Sequence, residues 1–197
     1  ALLSGVAGGL FARLLIASLT GAPQRLNNWR RRYPVRFAAA CGLAVAVIGL
    51  ATGGVTYGAG SEAVKRVLHG EAPLSPLYTL LKFIAAWLTA WSGAPGGIFA
   101  PSLSIGAGIG DAIARLASPE FGPALIALGM AGFLAAVTQA PLTAFIIVME
   151  MVDGHAKVLS LMASAMLASL VSRMISRPLY ETLAEHIVGV ATGRLAA

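Results

Sequence analysis

Long apolar segments alternate with short polar or glycine- and proline-rich stretches along this 197-residue sequence. The apolar segments cover residues 2–19, 37–52, 76–91, 98–116, 123–137, 142–152 and 157–175, and a last helix is predicted from Pro178 to about Val190. A helix that crosses a bilayer needs about 20 apolar residues, so several segments are too short to span alone. Interrupted segments of this kind are typical of transporters whose discontinuous helices meet near the bilayer midplane. The pattern predicts an all-α integral membrane bundle with tilted and re-entrant helices.

Composition supports a multi-pass membrane protein surrounded by lipid. The sequence is 57% hydrophobic and 11% charged, with a mean hydropathy of +0.80, whereas soluble domains are about 25% charged. The net charge of +6 is explained by arginines in loops and at segment ends, as the positive-inside rule expects. The main arginine-rich loop is predicted over residues 23–36. We therefore expect no nucleic-acid partner, and a bacterial inner or plasma membrane as the location.

The most unusual stretch is residues 92–101, which contains three glycines and two prolines between two apolar segments. Proline removes a backbone donor and glycine weakens a helix, so the helix must break here. Broken backbone at membrane depth is tolerated where it is buried in protein or lines a watery cavity. A helix that begins at such a break directs free N–H groups and the positive end of its dipole toward that space. The stretch therefore predicts an anion site.

Two polar residues in apolar surroundings leave alternatives open. Tyr180 follows Pro178 at the start of a helix, where its hydroxyl could donate to an ion or the ring could simply pack. Lys82 lies in the middle of an apolar segment, where it could assist an anion electrostatically, pair with a carboxylate or reach water.

Other chemistries find little support in the sequence. Glu150, Asp153 and His155 lie close together, but their spacing matches no common metal-ligand motif. Ser102 and Ser104 have no histidine in a comparable segment that could act as a base. We expect no metal, no cofactor and no enzymatic activity.

The break resembles the selectivity filter of the CLC family of chloride channels and chloride/proton antiporters. The family motif Gly-x-Phe-x-Pro is matched by Gly97, Ile98, Phe99, Ala100 and Pro101. Three later stretches, at residues 139–143, 148–151 and 177–180, resemble the helices that follow this filter, in the same order. The resemblance implies that the backbone amides of Ile98 and Phe99 and the hydroxyl of Tyr180 bind chloride.

The resemblance covers only part of the family's ion pathway. Two further family motifs, Gly-Ser-Gly-Ile-Pro and Gly-Arg-Glu-Gly-Pro with its gating glutamate, do not occur here. Residues 1–197 are therefore expected to be the C-terminal part of the membrane domain, the second half of an inverted-repeat fold whose N-terminal half is absent. The resemblance also implies a homodimer with residues 142–152 and 157–175 at the interface.

Two questions stay open at this point. The glutamates that would separate a channel from an antiporter are expected to lie outside this chain. The alternative function is an isolated half-protein that acts as a membrane scaffold or dimerisation module without ion flux of its own.

Overall fold

The computed structural model describes residues 1–20, 28–30, 32–71, 74–93, 96–117, 119–152 and 158–192. Within these ranges the regular structure is helical, with no strand, which confirms the all-α prediction. The main helices are α1 (Leu2–Thr20), α2 (Pro34–Ala51), α3 (Ser61–Leu68), α4 (Pro76–Trp91), α5 (Phe99–Ala117), α6 (Gly122–Thr138), α7 (Pro141–Met151), α8 (Val158–Ile175) and α9 (Leu179–Ala191), with a 3₁₀ turn at Pro119–Phe121.

Proline marks the start of several helices, because the first turn has no intrahelical acceptor for an N–H group. It occupies the first or second position of α2, α4, α6 and α7. Residues 28–30 and 32 are helical and α2 begins at Pro34, so the predicted loop over residues 23–36 is wrong over most of its described part. Residues 23–27 and 31 lie outside the described residues. Ser61 is the first residue of α3, which follows left-handed Gly60 with φ 85°.

The helices differ in length, as the interrupted pattern predicts. Three of the described helices, α1, α2 and α8, are long and apolar enough to cross a bilayer. Shorter apolar helices are formed by Leu77–Trp91 in α4, by α6 and by α7. The described part of the chain is thus a membrane-type helical bundle that combines full spans with shorter segments.

The helix α6 forms the centre of the bundle. Its residues Met130, Phe133, Leu134 and Val137 are all fully buried. One side of α6 packs in an apolar cluster with residues from α3, α4, α5, α7 and α8. The other side packs in a second cluster with residues from α1, α5 and α9. A helix that is apolar all round is buried in this way.

Close contacts between helices depend on glycine at several positions. A Cβ atom built at Gly106 of α5 would lie 2.5 Å from the carbonyl oxygen of Gly129 in α6. A Cβ atom at Gly5 of α1 would lie 2.9 Å from the side chain of Val171 in α8. The backbones of these helix pairs can therefore approach closely only because the side chains are missing.

Polar groups inside the bundle have specific partners. The carboxylate of Asp111 accepts from the backbone N–H of Leu74 at 3.0 Å and pairs with Arg115 at 2.6 Å. Asp111 is therefore an ion-pair partner of Arg115. In α8, the hydroxyl of Ser172 donates to the carbonyl of Ala136 at 2.5 Å and thereby ties α8 to α6.

Candidate anion site

The break predicted at residues 92–101 directly precedes α5. Gly96 and Gly97 lie exposed before a bend at Ile98, and α5 begins at Phe99; Ala94 and Pro95 lie outside the described residues. The backbone N–H and the hydroxyl of Ser102 both donate to the carbonyl of Ile98, at 3.1 and 2.7 Å. These two bonds hold the start of the helix in place. The first-turn amides of α5 have no acceptor within the helix, so they and the helix dipole present positive charge at the break.

A second helix start lies next to the first. The chain is non-helical over residues 176–178 and α9 begins at Leu179, which is fully buried in the cluster that Ile98 also contacts. The next residue, Tyr180, stacks its ring on that of Phe99, with centroids 6.3 Å apart and an interplanar angle of 29°. The fold therefore brings together the two stretches that the sequence singled out.

The hydroxyl of Tyr180 is available for a ligand. Tyr180 is 45% exposed and Phe99 is 41% exposed. Within the described part of the chain, this hydroxyl has no hydrogen-bond partner. The ring of Tyr180 packs on the ring of Phe99, while its hydroxyl is without a hydrogen-bond partner among the described residues.

A cavity of about 460 Å³ lies on another side of the filter stretch. Residues from five parts of the chain line it: Phe11, Val45, residues 56–59, Lys82 with others of α4, and Gly96, Gly97, Ile98, Ala100 and Pro101. Phe99 and Tyr180 are not among these lining residues. The filter stretch thus faces the cavity with its glycines and Ile98, and contacts Tyr180 through Phe99.

Lys82 is buried in the wall of this cavity, with 3% of its surface exposed. Its Nζ donates to the carbonyl of Thr56 at 2.8 Å and to that of Gly58 at 2.7 Å. In the described ranges no carboxylate pairs with it, so the carboxylate interpretation is wrong there. The interpretation as an electrostatic helper of an anion stays a prediction, and the shared cavity is compatible with it.

Two residues that organise this region were missed by the sequence analysis. Gly58, with φ 61°, belongs to the turn that follows α2, and its carbonyl accepts from Lys82. Gln139 ends α6 in a left-handed conformation with φ 55°, and its side-chain amide donates to the carbonyl of Ser176 at 3.0 Å. That bond joins the break before α7 to the break before α9. In the sequence, the glycines over residues 53–60 and the proline at position 141 indicate a break near each residue, but neither signal identifies its distant partner.

The serines and acids weighed for other chemistries have ordinary surroundings where they are described. The hydroxyl of Ser104 lies 2.5 Å from that of Tyr78, and the hydroxyl of Ser102 is used at the start of α5. Asp153 and His155 of the acidic cluster lie outside the described residues.

The charge around the break favours a negative ligand. Helix-start amides and a free hydroxyl offer partial positive charge, while Lys82 adds a full charge at the cavity wall. The described residues that line the cavity include no aspartate or glutamate. The cavity can therefore attract an anion without an opposing carboxylate among its described lining residues, whereas Glu181 lies next to Tyr180 in the first turn of α9.

Comparison with known proteins covers most of the chain. The profile of a family described as voltage-gated chloride channel matches residues 1–173, which include the filter stretch and end before Tyr180. The voltage-gated ClC-type chloride channel ClcB of Salmonella typhi is 30% identical over 184 residues, covering 87% of this chain and 43% of the relative. The H(+)/Cl(-) exchange transporter ClcA of Vibrio campbellii is 30% identical over 193 residues, covering 92% and 40%.

A third relative, the H(+)/Cl(-) exchange transporter ClcA of Klebsiella pneumoniae, is 37% identical over 114 residues, covering 54% of this chain and 24% of the relative. The chain therefore spans less than half the length of these curated relatives. All three are named as channels or transporters.

Proposed function

Since this chain belongs to the voltage-gated chloride channel family, we propose that it forms part of a pathway that carries chloride across a membrane. The observation that carries the proposal is the meeting of two helix starts, in which Tyr180 stacks on Phe99 at 6.3 Å. Chloride transport is also what the names of the relatives describe.

In this proposal the backbone amides of Ile98 and Phe99 and the hydroxyl of Tyr180 donate to one chloride ion. These donors are neutral, so they offer partial positive charge to the anion. Conduction requires a site that is favourable enough to enter and weak enough to leave. Neutral donors at a helix start meet both conditions, whereas a direct ion pair would hold chloride longer.

The complete pathway needs more protein than this chain supplies. We propose that residues 1–197 act as the C-terminal part of the membrane domain and that an N-terminal half of the same protein completes the pathway. The proposed location is a bacterial inner or plasma membrane, with the helices in contact with lipid.

We also propose a homodimer in which α7 and α8 contribute to the interface. Both helices carry large apolar side chains that are at least half exposed. These residues are Leu142, Ile146, Met151, Leu159, Leu167, Leu170 and Met174. Such a surface must be covered by lipid or by a second subunit. An apolar helix surface alone does not distinguish between these two.

The test is chloride efflux from liposomes that contain either the complete protein or residues 1–197 alone. We expect the complete protein to release chloride above protein-free liposomes and the isolated chain to release none. Simultaneous recording of external pH separates a channel from a chloride/proton antiporter. A complete protein that inserts and still moves no chloride would contradict the proposal and favour the scaffold alternative.

A further inference from the structure

Lys82 carries a positive charge and is not one of the proposed chloride ligands. It lies in the middle of apolar α4, and its ammonium donates to the carbonyls of Thr56 and Gly58 at 2.8 and 2.7 Å. A buried charge is costly unless it is paired and hydrogen-bonded. Two carbonyls satisfy two of the three N–H groups of an ammonium. The third N–H has no acceptor in the described part of the chain.

The cavity supplies the space for that acceptor. The filter residues Gly96, Gly97 and Ile98 line the same cavity of about 460 Å³ as Lys82. One water molecule occupies about 30 Å³ of liquid, so the cavity can hold an anion together with part of its hydration shell. The remaining wall is largely apolar, with Phe11, Ala85 and neighbouring alanines. A charge in apolar walls is screened less than one in open water, and its field is focused into the cavity.

The two carbonyl bonds also restrict what Lys82 can do. They fix the ammonium to the turn at residues 56–58, which lines the same cavity as the filter residues. In this position the ammonium attracts anions at long range. The neutral backbone amides remain the N–H donors at the start of α5.

We propose that Lys82 concentrates small monovalent anions in this cavity and thereby sets the anion concentration at which the filter is half-occupied. The inference rests on the proposed chloride transport and goes beyond it, because it assigns the anion dependence to a side chain outside the filter motif. Lys82 acts here as a positioning residue for the anion, through its charge.

The experiment measures chloride flux of the complete protein at a series of chloride concentrations. Lys82→Gln removes the charge and keeps a donor for a carbonyl, while Lys82→Arg keeps the charge. We expect the chloride concentration for half-maximal flux to rise on the order of tenfold in Lys82→Gln. Lys82→Arg is expected to stay close to wild type, and the maximal flux of Lys82→Gln is expected to change much less than its concentration dependence.

The control is Lys65→Gln, which removes an equal charge from an exposed side chain paired with Glu62 at 3.8 Å. It should leave the concentration dependence unchanged. If Lys82→Gln does not fold, Thr89→Asp adds a carboxylate to the same cavity while Lys82 stays in place. That variant is expected to raise the half-maximal concentration in the same direction.

Three results separate the possibilities. Wild-type flux with an unchanged concentration dependence in Lys82→Gln, or in Thr89→Asp where it is used, would overturn the role of the charge. Equal losses of chloride flux in Lys82→Gln and Lys82→Arg would show that Lys82 only stabilises the turn at residues 56–58. That result would also overturn the inference. Absence of flux in the wild-type protein would contradict the proposed function itself.

Discussion

Replacing Tyr180 by phenylalanine is the sharpest perturbation of the proposed chloride site. The change removes one hydroxyl and keeps the ring that stacks on Phe99 at 6.3 Å. This hydroxyl has no hydrogen-bond partner among the described residues, so its loss should leave the stability of the fold unchanged. The affinity for chloride is therefore the quantity that should change.

The magnitude follows from the loss of one neutral hydrogen bond to the ligand. Such a bond contributes about 0.5–1.5 kcal/mol net. This range corresponds to a chloride Kd that is raised about twofold to tenfold in Tyr180→Phe. Tyr180→Ala removes the hydroxyl and also the stacked ring, and an aromatic pair contributes about 0.5–1.5 kcal/mol beyond its buried area. Only the alanine variant should therefore show a lower melting temperature as well.

The assay is isothermal titration of chloride into the complete protein, with melting temperature recorded for each variant. Tyr33→Phe is the control, because Tyr33 is similarly exposed, at 40%, and lies at the start of α2. It should bind chloride as the wild type does. The reasoning is refuted if both Tyr180→Phe and Tyr180→Ala bind chloride with wild-type affinity.

The remaining predictions concern the bundle. Gly106→Ala places a Cβ atom 2.5 Å from a carbonyl oxygen of α6 and should destabilise the protein by about 1–3 kcal/mol in a denaturation experiment; Gly42→Ala, with nothing within 4 Å of the new atom, should show no loss. Asp111→Asn breaks the ion pair with Arg115, so proteolysis should cut the segment around Leu74 faster than in wild type, and equal rates would contradict its clamping role. Leu170→Cys, at an exposed position of α8, should give a disulfide-linked dimer on oxidation in membranes. A persistent monomer would count against the proposed interface.

Helix positions were largely predictable because proline and glycine act locally. Proline is not tolerated in a helix interior, so Pro141 marks the start of α7 within one residue of the expected position. The start of α2 was missed because the preceding arginines resemble a loop in composition, although Pro34 is well suited to a first helical turn.

The contacts of the candidate site were less predictable because they join residues far apart in sequence. The partners of Lys82 are backbone carbonyls of Thr56 and Gly58, and a backbone carbonyl carries no residue-specific signal. The contact of Phe99 with Tyr180 depends on how α9 packs in the core, which no local pattern contains. The family resemblance identified both residues, and their role as chloride ligands stays a prediction.

The most direct measurement is a crystal structure of the complete protein grown in bromide, in which anomalous scattering locates the anion. The account predicts a bromide peak within hydrogen-bond distance of the backbone N–H groups of Ile98 and Phe99 and of the hydroxyl of Tyr180. A bromide peak at the start of α5 that Tyr180 does not reach, or no peak at that helix start, would contradict it.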